Sequence, residues 1–323
     1  MNKKCSGGTK GAKGAKGAKG AGGPKGAGGA SLKRGRARAM AGTGPRRSRT
    51  KDNGPSRGAA RIEGVFGELK ARNEKALITF ITAGDPSLSA TADLILGMEK
   101  AGADIIELGI PFSDPMADGP TIQASSERAL RGGVHLRDVI MLVRKIRQKS
   151  DIPIILFGYY NPIFAYGTKR FAREAARAGV DGVLVVDLPP EEAADLQSDL
   201  EAMGLALVFL LTPVSDDKRM RLVASRGSGF IYFVSLTGVT GAREKMKADV
   251  AGHIKKLRKF TSLPVGVGFG VSTPAQAREI GEAADGVIVG SAIIDIIARK
   301  GGRRQALKEA VRFVASLKEA LRG

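Results

Sequence analysis

The chain has 323 residues and a formal net charge of +20, but residues 1–60 hold 16 basic residues against one acid, Asp52, so the folded remainder is only mildly basic. A single cysteine, Cys5, excludes a disulfide framework and a Cys-based zinc site, and two histidines, His135 and His253, speak against a His-rich metal centre. No apolar run approaches the roughly 18 residues of a membrane span, and the N-terminus lacks the apolar stretch of a secretory signal.

Residues 1–58 read as a disordered tail rich in Lys, Gly, Ala and Arg, ahead of one domain over 59–323. From Gly8 glycine recurs at every third position for eight triplets, yet Pro24 is the only proline among them. A collagen helix needs about 15–20% Pro or hydroxyproline, and Gly and Ala offer almost no apolar surface to bury, so disorder is expected. A basic stretch follows, Lys33, Arg34, Arg36, Arg38, Arg46, Arg47 and Arg49. Three readings of the tail compete: a solvated extension, a weak non-specific polyanion tether, and a transit peptide. The third would place the protein in a plastid rather than the cytoplasm. A start at Met40 would remove the repeat altogether.

From about Arg61 short runs rich in β-branched residues alternate with helix-periodic segments. The runs are Ala76–Ile81, Asp104–Leu108, Pro153–Phe157, Gly182–Val186, Ala206–Leu210, Phe230–Val234, Val265–Phe269 and Gly286–Val289. Their near-continuous apolar character fits strands buried on both faces of a parallel sheet. Between them, Leu136, Val139, Ile140, Val143 and Ile146 recur at helical spacing, with Arg137, Arg144 and Lys145 turned outward. Thr273 is placed to cap a helix that has Pro274 at its first position and Gln276 completing a capping box. Ala-Gly-Ala-Asp (101–104), Ala-Gly-Val-Asp (178–181) and Ala-Ala-Asp-Gly (283–286) mark helix ends turning into strands, with Gly as a left-handed cap. Eight strand-then-helix units, with no early Gly-rich dinucleotide fingerprint, favour an α/β (β/α)8 TIM barrel over an open doubly wound sheet.

In such a barrel chemistry belongs at the C-terminal ends of the strands. Glu107, in Ile105-Ile106-Glu107-Leu108-Gly109, shares a strand face with Ile105. A carboxylate there is costly unless it works or is paired. It is either a proton donor and acceptor with a raised pKa or a structural partner of a Lys or Arg. The loop 110–120 adds Asp114 and Asp118; Asp118 can fold back over the barrel mouth, or both can simply form Asp-Pro and Asp-Gly turns. Glycines end strands seven (Gly266, Gly268, Gly270) and eight (Gly290, before Ser291). They fit either a phosphate held by backbone N–H groups at a helix start or tight turns alone. Thr237–Gly241, leading into Ala242–Lys247, reads as a mobile lid after strand six.

The segment Ile106 to Gln123, with Glu107, Pro111-Phe112-Ser113-Asp114-Pro115 and Asp118-Gly119-Pro120, resembles the signature of the tryptophan synthase alpha-subunit family. Phe80-Ile81-Thr82-Ala83-Gly84-Asp85-Pro86, Tyr159-Tyr160-Asn161-Pro162 and the Gly270 and Gly290-Ser291 ends agree, and the resemblance covers about residues 60–321. It implies a lyase that splits indole-3-glycerol phosphate into indole and glyceraldehyde 3-phosphate. Glu107 and Asp118 match its catalytic carboxylates, the first moving protons and the second holding the indole N–H. Phe80 and Tyr159 would border the indole and Tyr232 line the site. Gly241, Gly270, Gly290 and Ser291 would hold the phosphate, and Thr240 would close a lid over Asp118. The resemblance further implies a beta subunit as partner, in an α2β2 heterotetramer met through the second and sixth loops. Pyridoxal phosphate would belong to that partner, with no cofactor in this chain. The same residues fit a stand-alone lyase that releases free indole, and the tail leaves open a nucleic-acid-associated role.

Overall fold

The structure, a computed structural model, describes residues 58–234, 243–268, 270–299 and 303–322, with side chains described from 250 and 304 onward in the second and fourth of these. The tail, with its triplet repeat and basic stretch, lies outside the described residues.

Nine parallel strands form the sheet: β1 Ala76–Thr82, β2 Ile105–Gly109, β3 Ile154–Gly158, β4 Gly182–Val185, β5 Ala206–Val208, β6 Leu210–Leu211, β7 Ile231–Val234, β8 Val265–Gly268 and β9 Gly286–Val289. Their order is β5-β4-β3-β2-β1-β9-β8-β7-β6. β5 and β6 are separated by Phe209 alone, so the two ends of that order are joined through one residue and the sheet is a nearly closed barrel. The run expected as one fifth strand is thus interrupted. Its first half pairs with β4 and its second with β7, while the Phe209 carbonyl accepts from Tyr232 N–H at 3.1 Å. The other runs match their strands to within a residue.

The helices are α1 Gly58–Ala71, α2 Leu88–Lys100, α3 Pro120–Arg131, α4 Leu136–Ile146, α5 Tyr160–Tyr166, α6 Thr168–Ala178, α7 Ala194–Glu201, α8 Asp217–Arg226, α9 Arg243–Leu257, α10 Pro274–Gly281, α11 Ser291–Ala298 and α12 Arg303–Ala320. The expected inner stripe of α4 is buried and Arg137, Arg144 and Lys145 are exposed. Thr273 caps α10 by accepting from Gln276 N–H at 3.3 Å, but Gln276 reaches one residue further back than a capping box, to Ser272 N–H at 2.9 Å.

Two layers of apolar packing follow from strand alternation. Outward residues such as Leu77, Ile106 and Val183 meet the helices. Inward residues Ile78, Ile105, Ile155, Leu184 and Phe230 fill the barrel and continue into Ile62 and Phe66 of α1. Helix α1 therefore plugs the N-terminal end. Gly58, expected in the tail, is its first residue, and a Cβ there would lie 2.9 Å from the Asp181 carbonyl, so this position needs a glycine.

The three Ala/Gly/Asp repeats do more than end helices. Gly102 and Gly179 have positive φ of 101° and 91°, as a left-handed turn requires. Gly286 instead starts β9, where a Cβ would sit 3.1 Å from that of Ala76, so the third glycine makes room rather than a cap. The aspartates reach sideways to the strand before: Asp104 accepts from Leu77 N–H, Asp181 from Ile154 N–H and Asp285 from Val265 N–H, each at 2.7 Å. Each also meets a cation: Lys318 for Asp104, Arg61 and Arg147 for Asp181, Arg258 for Asp285.

Candidate active site

Helix α1 closes one end of the barrel, so the C-terminal strand ends form the accessible mouth. Glu107 is the third residue of β2, with Phe80 of β1 and Ile155 of β3 as its register partners. Its face is that of Ile105, so the side chain points into the barrel. It is fully buried, and neither carboxyl oxygen has a hydrogen-bond partner among the described residues. Among the described residues the structural alternative, a Glu paired with Lys or Arg, is not built. With nothing to stabilise the anion, burial pushes the carboxyl from its ordinary value of 4.5 up to about 8. The group is therefore largely protonated at neutral pH.

Asp118 lies in the loop between β2 and α3, half-buried. The loop uses it both ways: its N–H donates to Pro115 O at 3.0 Å, closing a turn, and its Oδ2 accepts from the Tyr159 hydroxyl at 3.1 Å. Burial raises its pKa and the Tyr159 bond partly offsets this. Asp114 is exposed and serves the turn, accepting from the Ser113 hydroxyl at 2.6 Å and, through its carbonyl, from Met116 N–H at 2.8 Å.

Tyr232, half-buried on β7, sees both carboxylates. Its phenol is held well above the ordinary value first by burial, then by the negative charges of Glu107 and Asp118. All three side chains thus share one electrostatic neighbourhood. Glycines make room for the rings at this mouth. A Cβ on Gly268 would lie 2.6 Å from the Tyr232 hydroxyl, one on Gly109 2.7 Å from Phe80 Cζ, and one on Gly290 3.2 Å from Phe80 Cβ. Phe80 in turn packs edge-on against Phe157, centroids 5.1 Å apart.

Tyr159, expected beside the substrate ring, is buried under the loop. It stacks on Phe112 at 5.0 Å, and its hydroxyl accepts from Ala117 N–H at 3.0 Å while donating to Asp118. It also clips the Asp118 loop to the residue just after β3, a contact between residues 41 apart that no spacing in the chain announces.

Gly290 and Ser291 stand where expected, at the start of α11. Gly290 is the N-cap with no side-chain bond, and its carbonyl accepts from Ile293 and Ile294. The first-turn N–H groups of a helix have no acceptor within it, which suits an anion. Gly270, after β8, has a positive φ of 62° and open space where a Cβ would be. Thr240 and Gly241 lie outside the described residues, as does the segment read as a lid up to residue 242; from Arg243 the chain is helical, as α9.

Neither histidine meets the carboxylates. His135 N–H donates to Asp138 at the start of α4, and His253 bonds the Pro213 carbonyl at 2.9 Å beside Phe233. Among the described residues no group of His, Cys, Asp and Glu has the arrangement of a metal site, and no helix is long and apolar enough to cross a membrane.

The tryptophan synthase alpha chain family model matches residues 66–322. The tryptophan synthase alpha chain of Geobacter sp. (strain M21) is 55% identical over 262 residues, covering 81% of this chain and 98% of its own length. That of Geotalea daltonii is 59% identical over 234 residues, covering 72% and 89%. The crystal structure of tryptophan synthase subunit alpha from Legionella pneumophila str. Paris is similar with a TM-score of 0.75 at 40% identity, over 81% of this chain and 98% of that one.

Proposed function

The chain belongs to the tryptophan synthase alpha chain family, lyases that cleave indole-3-glycerol phosphate to indole and glyceraldehyde 3-phosphate in tryptophan biosynthesis, and we propose that Glu107 and Asp118 carry that cleavage here. The bond to be broken joins an indole ring carbon to a carbon bearing a hydroxyl. Protonating the ring carbon turns it tetrahedral and moves positive charge to the ring nitrogen. Glu107, held protonated by burial, supplies that proton. Asp118 accepts the ring N–H and offsets the charge as it develops. The hydroxyl then yields its proton to the Glu107 carboxylate, which is strongly basic in this apolar setting. The carbon–carbon bond breaks, its electrons return to the ring, and the carbon that held the hydroxyl becomes the aldehyde. Glu107 ends as it began, protonated, so acid and base are one residue.

Phe80 and Tyr159 border the ring and Tyr232 lines the site, and Gly270, Gly290 and Ser291, with Thr240 and Gly241, hold the phosphate. This sequence of steps uses no cofactor; the pyridoxal phosphate of the complete synthase is assigned to the beta subunit. The family works with that subunit, and the assembly read for this chain is α2β2, in the cytoplasm, with any polyanion binding by the tail weak.

The observation that supports this reading is Glu107 itself, a fully buried carboxyl with no partner, inside the barrel at its mouth. Its test is Glu107→Gln, assayed for indole release with and without a beta subunit. The expected result is a loss of about 1,000-fold with an unchanged circular-dichroism spectrum. Retained turnover overturns the assignment. Full activity without a beta subunit would favour the stand-alone lyase.

A further inference from the structure

The Asp118 loop poses a positioning problem. Ser113, Asp114, Met116 and Ala117 are exposed, with Met116 at 85%, so little apolar packing holds the loop that must aim a catalytic carboxylate. Its anchors are polar. Tyr159 holds Asp118 Oδ2 and Ala117 N–H. The Asp118 N–H closes the turn onto Pro115 O. One side chain grips the opposite, carbonyl side of that turn: the Gln123 amide donates to Asp118 O at 2.8 Å and, more weakly, to Pro115 O at 3.4 Å.

We propose that Gln123 is a positioning residue for Asp118, its amide bridging both ends of the Pro115–Asp118 turn and so fixing the peptide from which the carboxylate projects. Gln123 lies in the first turn of α3, with its own N–H bonded to Gly119 O at 3.0 Å. That helix is firmly seated: Arg128 makes a two-pronged bond to buried Asp85 at 2.8 and 2.7 Å, Ser125 bonds Thr82, and Thr121 bonds Asp295 of α11 at 3.1 Å. Gln123 thus transfers the rigidity of a packed helix to an exposed loop. The amide is required chemically, since both partners are carbonyl oxygens and only a donor serves. A carboxylate of the same length would be repelled by both. The role rests on the assignment of Asp118 as the group that meets the ring N–H, since Gln123 touches neither substrate nor Glu107.

The test is a double-mutant cycle on the full-length chain with its beta subunit, assayed with indole-3-glycerol phosphate. Gln123→Ala and Gln123→Glu are made in the parent and in Asp118→Asn. Gln123 is exposed, so folding and Tm should hold. In the parent, kcat is expected to fall about tenfold with KM within about twofold. In the Asp118→Asn background, itself reduced about 100-fold, neither Gln123 variant should cost more. Undiminished kcat in Gln123→Ala overturns the proposal, as does an equal fractional loss in both backgrounds, which would mean Gln123 acts independently of Asp118. An active Asp118→Asn would defeat the Asp118 assignment and this proposal together, whereas an inactive Asp118→Asn beside a fully active Gln123→Ala defeats this proposal alone.

Discussion

At the N-terminal end of the barrel Asp181 is fully buried and surrounded by donors: Ile154 N–H, Arg61 from α1 and Arg147 after α4. At the mouth Glu107 is equally buried and has no donor among the described residues. Burial raises the pKa of both. With two guanidiniums working against it, Asp181 reaches about 6 and stays largely ionised at neutral pH; Glu107, unopposed, reaches about 8 and stays largely protonated. One end of the barrel spends its carboxylates on joining strands and helices, as Asp104 and Asp285, less deeply buried, do as well. The other leaves a carboxyl able to give up and take back a proton. Partners, rather than depth, separate a structural acid from a chemical one.

Three experiments would break or sharpen this contrast. The largest effect is expected from Asp181→Ala, which takes the counter-charge from Arg147 and leaves Ile154 N–H without its acceptor. Urea unfolding should show a loss of about 3–5 kcal/mol, while indole release per folded molecule stays at the parental level. A catalytic defect comparable to that of Glu107→Gln in folded protein would erase the distinction between the two ends.

The second concerns stability at the other end. Glu107 has a folded value above its unfolded one, so it favours the fold as the protonated acid. That contribution is complete below about pH 4.5 and is lost as pH rises through about 8. Glu107→Gln cannot ionise and escapes the loss. At pH 8 it should be more stable than the parent by about 4 kcal/mol, or about 10 °C in Tm, with the difference shrinking toward pH 4.5. A variant less stable than the parent at pH 8 would mean that the carboxylate has a stabilising partner after all.

The smallest effect should come from Tyr159→Phe, which keeps the ring against Phe112 and deletes the hydroxyl between Ala117 and Asp118. A fall in kcat of less than about tenfold, with KM nearly unchanged, fits a loop clip. A rise in KM with kcat intact would make Tyr159 a substrate-ring contact rather than a loop clip.

Much of this was legible in the chain. Eight apolar runs at regular intervals are enough for a barrel, since strands buried on both faces cannot hide their composition. Glu107 stood out because a charge in such a run demands a reason. The interruption at Phe209 was not legible, because a run that leaves one neighbour for another keeps its apolar texture throughout. Asp104, Asp181 and Asp285 were read only as helix ends, since their acceptor role depends on which strand lies beside them. Gly268 and Gly290 looked like turn or phosphate glycines; that they also clear space for Tyr232 and Phe80 follows from ring positions set by other strands.

The sequence by itself determined the alternation of strand and helix and that Glu107 shares a strand face with Ile105, because backbone periodicity is local and needs no partner to be read. The tertiary structure decided which carboxyls are paired, which ring clips which loop and which amide steadies Asp118. Those contacts join residues far apart in the chain, and a side chain's charge, reach and pKa are properties of its neighbours as much as of itself.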